Sequence, residues 1–150
     1  MILKFTKCSG KNDSLEIIRR GSATEVISCP KQRIIPHDMM HYAVEMVMAE
    51  LGFLGRVAAG EAASLTMESE PVSDGIERLV EVMQGDSWSG GESAVADILE
   101  LYRVTCFARQ CPVLPIDAAT ILAIRERVAK LSVRWEALAV GETLELSFES

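Results

Sequence analysis

The chain has only two histidines. His37 and His41 stand four residues apart in PHDMMHYAVEMVMAEL, Pro36 to Leu51. On an α-helix, residues i and i+4 lie one above the other, so the two imidazoles share a face. Glu45, one turn further on, adds a carboxylate at the edge of that face. Two neutral imidazoles and a carboxylate on one helix follow the spacing logic by which HExxH helices hold zinc. Iron or manganese would accept the same donors. A metal with an open position would activate bound water for hydrolytic or lyase chemistry. His37, His41 and Glu45 are therefore the candidate ligands. Asp38 stands about 100° round the helix from His37, which suits a helix cap or a carboxylate supporting a ligand from behind. One helix seldom closes a metal site, and Cys29 and Glu50 are the nearest further donors. The plainer alternative is a structural histidine pair, hydrogen-bonded at the rim of the core with Asp38 as cap. A Cys29–histidine nucleophile pair has no recognisable oxyanion hole or acid partner here; a third reading is a small-molecule pocket using His37 or His41 as a general base.

The helix itself is well signalled. Proline suits a first turn, where its missing N–H has no intrahelical partner, and Asp38 puts negative charge near the positive end of the dipole. His37, His41, Val44, Met48 and Leu51 fall in one stripe at helical spacing. The imidazoles thus point where the apolar side chains point.

The run IIPHDMMHYAVE resembles the signature of a family of small bacterial proteins of unassigned function, in which an aliphatic residue precedes HDxxHYxxE. The ending RWEALAVGETLELSF resembles that family's tail. Membership implies a fold, and a bacterial source, but no known activity. A more local resemblance is to the zinc-containing ubiquinone-biosynthesis proteins that carry HDxxH. Their pattern continues with a glutamate twelve residues after the second histidine, where this chain has Phe53, so an expected ligand is missing.

The elements that must position this helix follow from periodicity. Ile2 to Lys7 alternates apolar and polar residues as a half-buried strand does. Ser9 to Asp13 is a turn, Ser14 to Arg19 a second strand, Arg20-Gly21-Ser22 a turn, and Thr24 to Ser28 a third strand. Such a meander leaves one face to be covered, and the Pro36 helix is its natural cover. Gly52 is read as the helix terminator, with a short helix expected near Glu61 to Met67. Val72 to Met83 reads as an amphipathic helix ending at the loop GDSWSGG, Gly85 to Gly91, where Trp88 is an anchor. Glu92 to Arg109 reads as another helix. Asp117 then caps a helix to about Ala139, whose Ile121, Ile124, Val128, Leu131, Trp135 and Leu138 follow heptad spacing. That stripe suits a core, and any part left exposed suits a homodimer contact through residues 117–139. The final alternation, Leu144, Leu146 and Phe148 against Glu145, Ser147 and Glu149, is a last strand placed beside the meander.

These elements give one α+β domain over 1–150: a small, mainly antiparallel sheet of three N-terminal strands plus the C-terminal strand, packed against four to five helices. A chain of 150 residues with 49% hydrophobic and 25% charged residues has enough apolar surface for a core. A net charge of −7 disfavours nucleic acid and anionic membranes, since phosphate binding needs a basic patch. No stretch approaches the ~18 apolar residues of a membrane span. The amino terminus shows no secretory signal pattern, so a cytoplasmic location is expected. The four cysteines form no CxxC and read as free thiols. GxSxG, GxGxxG and phosphate-loop patterns are absent, and no organic cofactor is expected. The reading that emerges is a cytoplasmic binding or assembly domain of unassigned biochemical role. Its alternative is a zinc-dependent hydrolase or lyase using the His37, His41 and Glu45 face, with an unidentified small-molecule ligand.

Overall fold

The computed structural model describes residues 1–49, 52–63 and 68–149. Strands β1 (Ile2–Thr6), β2 (Asn12–Ile18) and β3 (Glu25–Pro30) form the expected meander, and β4 (Thr143–Ser147) pairs with the free side of β1. The order is β3-β2-β1-β4, antiparallel throughout. Period-two alternation puts Leu3, Phe5, Leu15, Ile17, Leu144 and Leu146 on one buried face. On the other face Lys4 stands in register between Glu16 and Glu145, an opposite-charge row suited to water. The sheet is one-sided, and helices cover its apolar face. The fold class is α+β.

The helices are α1 (His37–Met48), α2 (Phe53–Ala58), α3 (Pro71–Trp88), α4 (Val95–Ala108) and α5 (Ala118–Glu136). Met39, Met40, Ala43 and Val44 of α1 are buried, and α1 packs against both α3 and α5. It ends earlier than Gly52: Ala49 takes the left-handed conformation at φ 57° and returns its N–H to the Glu45 carbonyl. Leu51 lies outside the described residues. Gly52 instead begins α2. The short helix expected near Glu61 to Met67 is not found over 61–63, and 64–67 lie outside the described residues; the helix of this region is α2.

The larger correction concerns GDSWSGG. Gly85, Asp86, Ser87 and Trp88 continue α3 rather than forming a loop. A helical glycine costs about 1 kcal/mol relative to alanine, but tertiary bonds hold this turn. Asp86 accepts two bonds from the Arg125 guanidinium, at 2.8 and 2.9 Å, and the Trp88 indole N–H donates to the Gln32 carbonyl at 2.7 Å. The chain leaves the helix only at Gly90 and Gly91, both with positive φ.

Asp117 caps α5 as expected, in a reciprocal capping box with Thr120. Ile121, Ile124, Val128, Leu131 and Trp135 are all buried in the chain's own core. Lys7 ties β1 to the end of this helix by donating to the carbonyls of Trp135 and Leu138. Most of the heptad stripe is therefore core, while Leu138 is half-buried and Leu122 and Val133 of the same helix are exposed. Among the described residues no helix is long and apolar enough to cross a membrane.

Replacing Leu131 by alanine should cost about 2–5 kcal/mol of stability, read from urea unfolding, with no change in elution volume. Unchanged stability together with altered assembly would put Leu131 on an interface instead.

Candidate metal centre

Two packed helices build the site. α1 presents His37 and His41 with ring centroids 4.8 Å apart and planes at 79°. Opposite them α3 presents Glu77, which gives one carboxylate oxygen to each ring. The separations are 2.7 Å from Oε2 to His41 Nε2 and 3.3 Å from Oε1 to His37 Nε2. One ligand atom from each of His37, His41 and Glu77 lies within 4.8 Å of the others, so this group could hold a metal ion.

The hydrogen bonds behind the rings decide which nitrogens face the site. The Ile35 carbonyl can only accept, so the Gln32 amide nitrogen is the atom that donates to it, at 2.8 Å. The same nitrogen donates to Gln84 Oε1 at 2.8 Å, which makes Oε1 the acceptor for His37 Nδ1–H at 3.0 Å. Behind the other ring, Glu45 accepts the Leu54 N–H at 3.1 Å and the Gly55 N–H at 2.8 Å. It also meets His41 Nδ1 at 2.9 Å, where the imidazole must donate. Both Nδ1 atoms are committed to these acceptors. Both Nε2 atoms are left for Glu77 or for a metal, the arrangement by which outer carboxylates and amides orient histidine ligands.

Glu45 is therefore not beside the two Nε2 atoms, as a ligand on a shared face would be. Both of its oxygens are used from behind, by His41 and by the first N–H groups of α2, and it is 2% exposed. The seat depends on Gly52, since a Cβ there would stand 2.6 Å from the Glu45 carboxyl carbon and from Ile76. Asp38 neither caps α1 nor supports an imidazole; its carboxylate accepts the Cys29 thiol at 3.4 Å. Burial and the adjacent Asp38 push that thiol far above the usual range, which disfavours the thiolate, and Cys29 is not in the group formed by His37, His41 and Glu77. Glu50 lies outside the described residues.

Electrostatics tie the three groups together. Burial disfavours a charged His41, but its bonds to Glu45 and Glu77 prevail and raise its pKa to about 10. For His37, burial lowers the pKa, Glu77 opposes that, and the net direction is upward. Burial would raise Glu77, yet its bonds to the two histidines bring it well below the ordinary carboxylate range. Without a metal, Glu77 thus accepts from a protonated His41.

The cluster opens on a cleft of about 520 Å³ whose walls include Ser28 and Cys29 of β3, Asp38, Phe53, Arg56 and Ser73. Arg56 is buried and its guanidinium is taken up by Glu61, in two bonds of 2.8 Å, and by the Glu68 carbonyl. Glu77 and Gln84 were outside the sequence expectations. The signal available for them was a polar row, Ser73, Glu77 and Gln84, at helical spacing beside the apolar stripe Ile76, Leu79, Val80 and Met83. In comparisons with known proteins, no family model, no curated protein and no solved structure matches the chain.

The pKa directions set a stability profile for the metal-free protein. His41 titrates at about 10 when folded against 6.5 ordinarily, so its contribution is full below pH 6.5 and is lost as pH rises through 10. Glu77 is lowered from 4.5, so its contribution is present above that pH and is lost on acidification. Chelator-treated protein should be most stable between about pH 4.5 and 6.5. Melting temperatures from pH 5 to 10 check this: wild type should lose stability toward pH 10, and His41→Gln should not show that alkaline slope.

Proposed function

We propose that this chain is a divalent-metal protein of the two-histidine, one-carboxylate type. Zinc or iron(II) would be held by His37 Nε2, His41 Nε2 and Glu77, acting on a ligand in the adjoining cleft by hydrolytic or lyase chemistry. One observation carries this reading: two Nε2 atoms converge on a single carboxylate while both Nδ1 atoms are locked to acceptors that keep Nε2 facing inward. A structural histidine pair needs one satisfied nitrogen per ring; this arrangement orients both. Two imidazoles and a carboxylate form the donor set of catalytic zinc sites and of non-haem iron sites with open positions. Bound metal would supply Lewis acidity and an acidic water. The protein's part is to orient the rings through Glu45 and Gln84, to neutralise charge through Glu77, and to shape the cleft with Phe53 and Ser73. The resemblance to the HDxxH zinc proteins fits this reading, with the acid lacking at Phe53 supplied by Glu77 from another helix. The assembly reading loses most of the α5 heptad stripe, which faces inward, and would rest on the exposed Leu122 and Val133 of that helix.

Isothermal titration of chelator-treated protein with zinc, and anaerobically with iron(II), tests the proposal. Wild type should bind one ion per chain and release a proton, because His41 is protonated beforehand; its apparent affinity should rise with pH. Glu77→Gln should abolish tight binding. Glu45→Gln, which touches no metal position, should weaken binding about 10–100-fold. Undiminished binding in folded Glu77→Gln, or no binding by wild type, would overturn the assignment.

A further inference from the structure

At its C-terminus α4 ends in a Schellman motif. The Gln110 N–H bonds to the Phe107 carbonyl at 3.2 Å, and the Cys111 N–H bonds to the Cys106 carbonyl at 3.0 Å. Gln110 supplies the left-handed residue, at φ 55°. This motif turns the chain back on itself so that the side chains of its first and last positions meet. Here both positions are cysteines. A spacing of CxxxxC on a continuous helix would put the two sulfurs on different faces; the left-handed turn brings them to one place.

The two thiols are free, Cys106 buried and Cys111 half-buried. Burial raises the Cys106 pKa to about 11; neighbouring Cys111 adds to the rise, while Tyr102 and Arg78 oppose it. The turn is held firmly. The Tyr102 hydroxyl donates to the Gly75 carbonyl at 3.0 Å and accepts the Leu114 N–H at 3.2 Å. The Pro112 carbonyl lies 2.8 Å from where a Cβ on Gly75 would stand. Backbone bonds on both sides of the turn thus fix the separation of the two cysteines before any reaction. The Cys106 and Cys111 side chains interact directly across the turn, the proximity that disulfide geometry requires.

We propose that Cys106 and Cys111 form a redox-active dithiol that closes to an intrachain disulfide by exchange with a small-molecule disulfide. The more accessible Cys111, as thiolate, attacks one sulfur of the reagent. A Cys111–reagent mixed disulfide forms, the reagent S–S bond breaks, and one reagent thiol leaves. Cys106 then gives up its proton and attacks the Cys111 sulfur, displacing the second reagent thiol. The cysteine pair loses two electrons and two protons, and the reagent gains both as two thiols. Closure orders little that the turn has not already ordered, so the intramolecular step is favoured over a standing mixed disulfide.

The test uses the intact reduced chain and oxidised glutathione. Closure lowers the mass by two hydrogens and leaves two of the four cysteines titratable in denaturant. Trypsin cuts after Arg103, Arg109 and Arg125, so a non-reduced digest should contain peptides 104–109 and 110–125 joined, and reduction should separate them. Cys111→Ser should abolish closure and Cys8→Ser should retain it. A mixed disulfide that persists on Cys111, a bridge involving Cys8 or Cys29, or no reaction would each overturn the proposal. Because the wild-type digest reads the linkage directly, the result does not depend on a variant that might fold poorly.

Discussion

His41 is 2% exposed, and each of its ring nitrogens meets a carboxylate, Glu45 at 2.9 Å and Glu77 at 2.7 Å. Enclosing charge in this way costs several kcal/mol per ion unless every polar atom finds a partner. Much of the surrounding architecture supplies those partners. α2 starts where it does so that the N–H groups of Leu54 and Gly55 meet Glu45. Gly52 lacks a side chain because that carboxylate occupies the space. α3 lies against α1 along the face that carries Glu77 and Gln84. Removing one member would leave another charged and unpaired, so the groups stand or fall as a unit.

The same constraint explains what could be read in the sequence. The sheet was legible because one wet face and one dry face impose strict alternation, seen in Leu3 and Phe5 and again in Leu144 and Leu146. α1 was legible from Pro36 and its stripe, and α5 from Asp117. The ligand assignment went astray at Glu45 because spacing along one helix cannot tell the front of an imidazole from its back. The acid in front, Glu77, sits on a helix remote in sequence, and only the packing of α1 on α3 brings it there. The length of α3 was hidden for a similar reason. Gly85 and the serines favour a loop locally, and the bonds from Arg125 to Asp86 and from Trp88 to Gln32 override that preference.

Two chemistries thus lie on opposite flanks of α3 without sharing a side chain. On one flank, in the proposed metal site, two imidazoles and a carboxylate would exchange protons for a metal beside a cleft. On the other, the proposed dithiol of Cys106 and Cys111 sits at a helix terminus near Gly75, two residues before Glu77. The helices that carry them, α1 and α4, each end on a residue other than glycine in a left-handed conformation, Ala49 and Gln110.

Elemental analysis of untagged protein, purified without chelator beside the His41→Ala variant, tests the central claim most directly. Close to one equivalent of zinc or iron is expected in the wild type, with that metal lost in the variant. Wild-type protein that stays metal-free even after reconstitution would contradict it, leaving His41 as a buried imidazole whose two carboxylates serve stability alone.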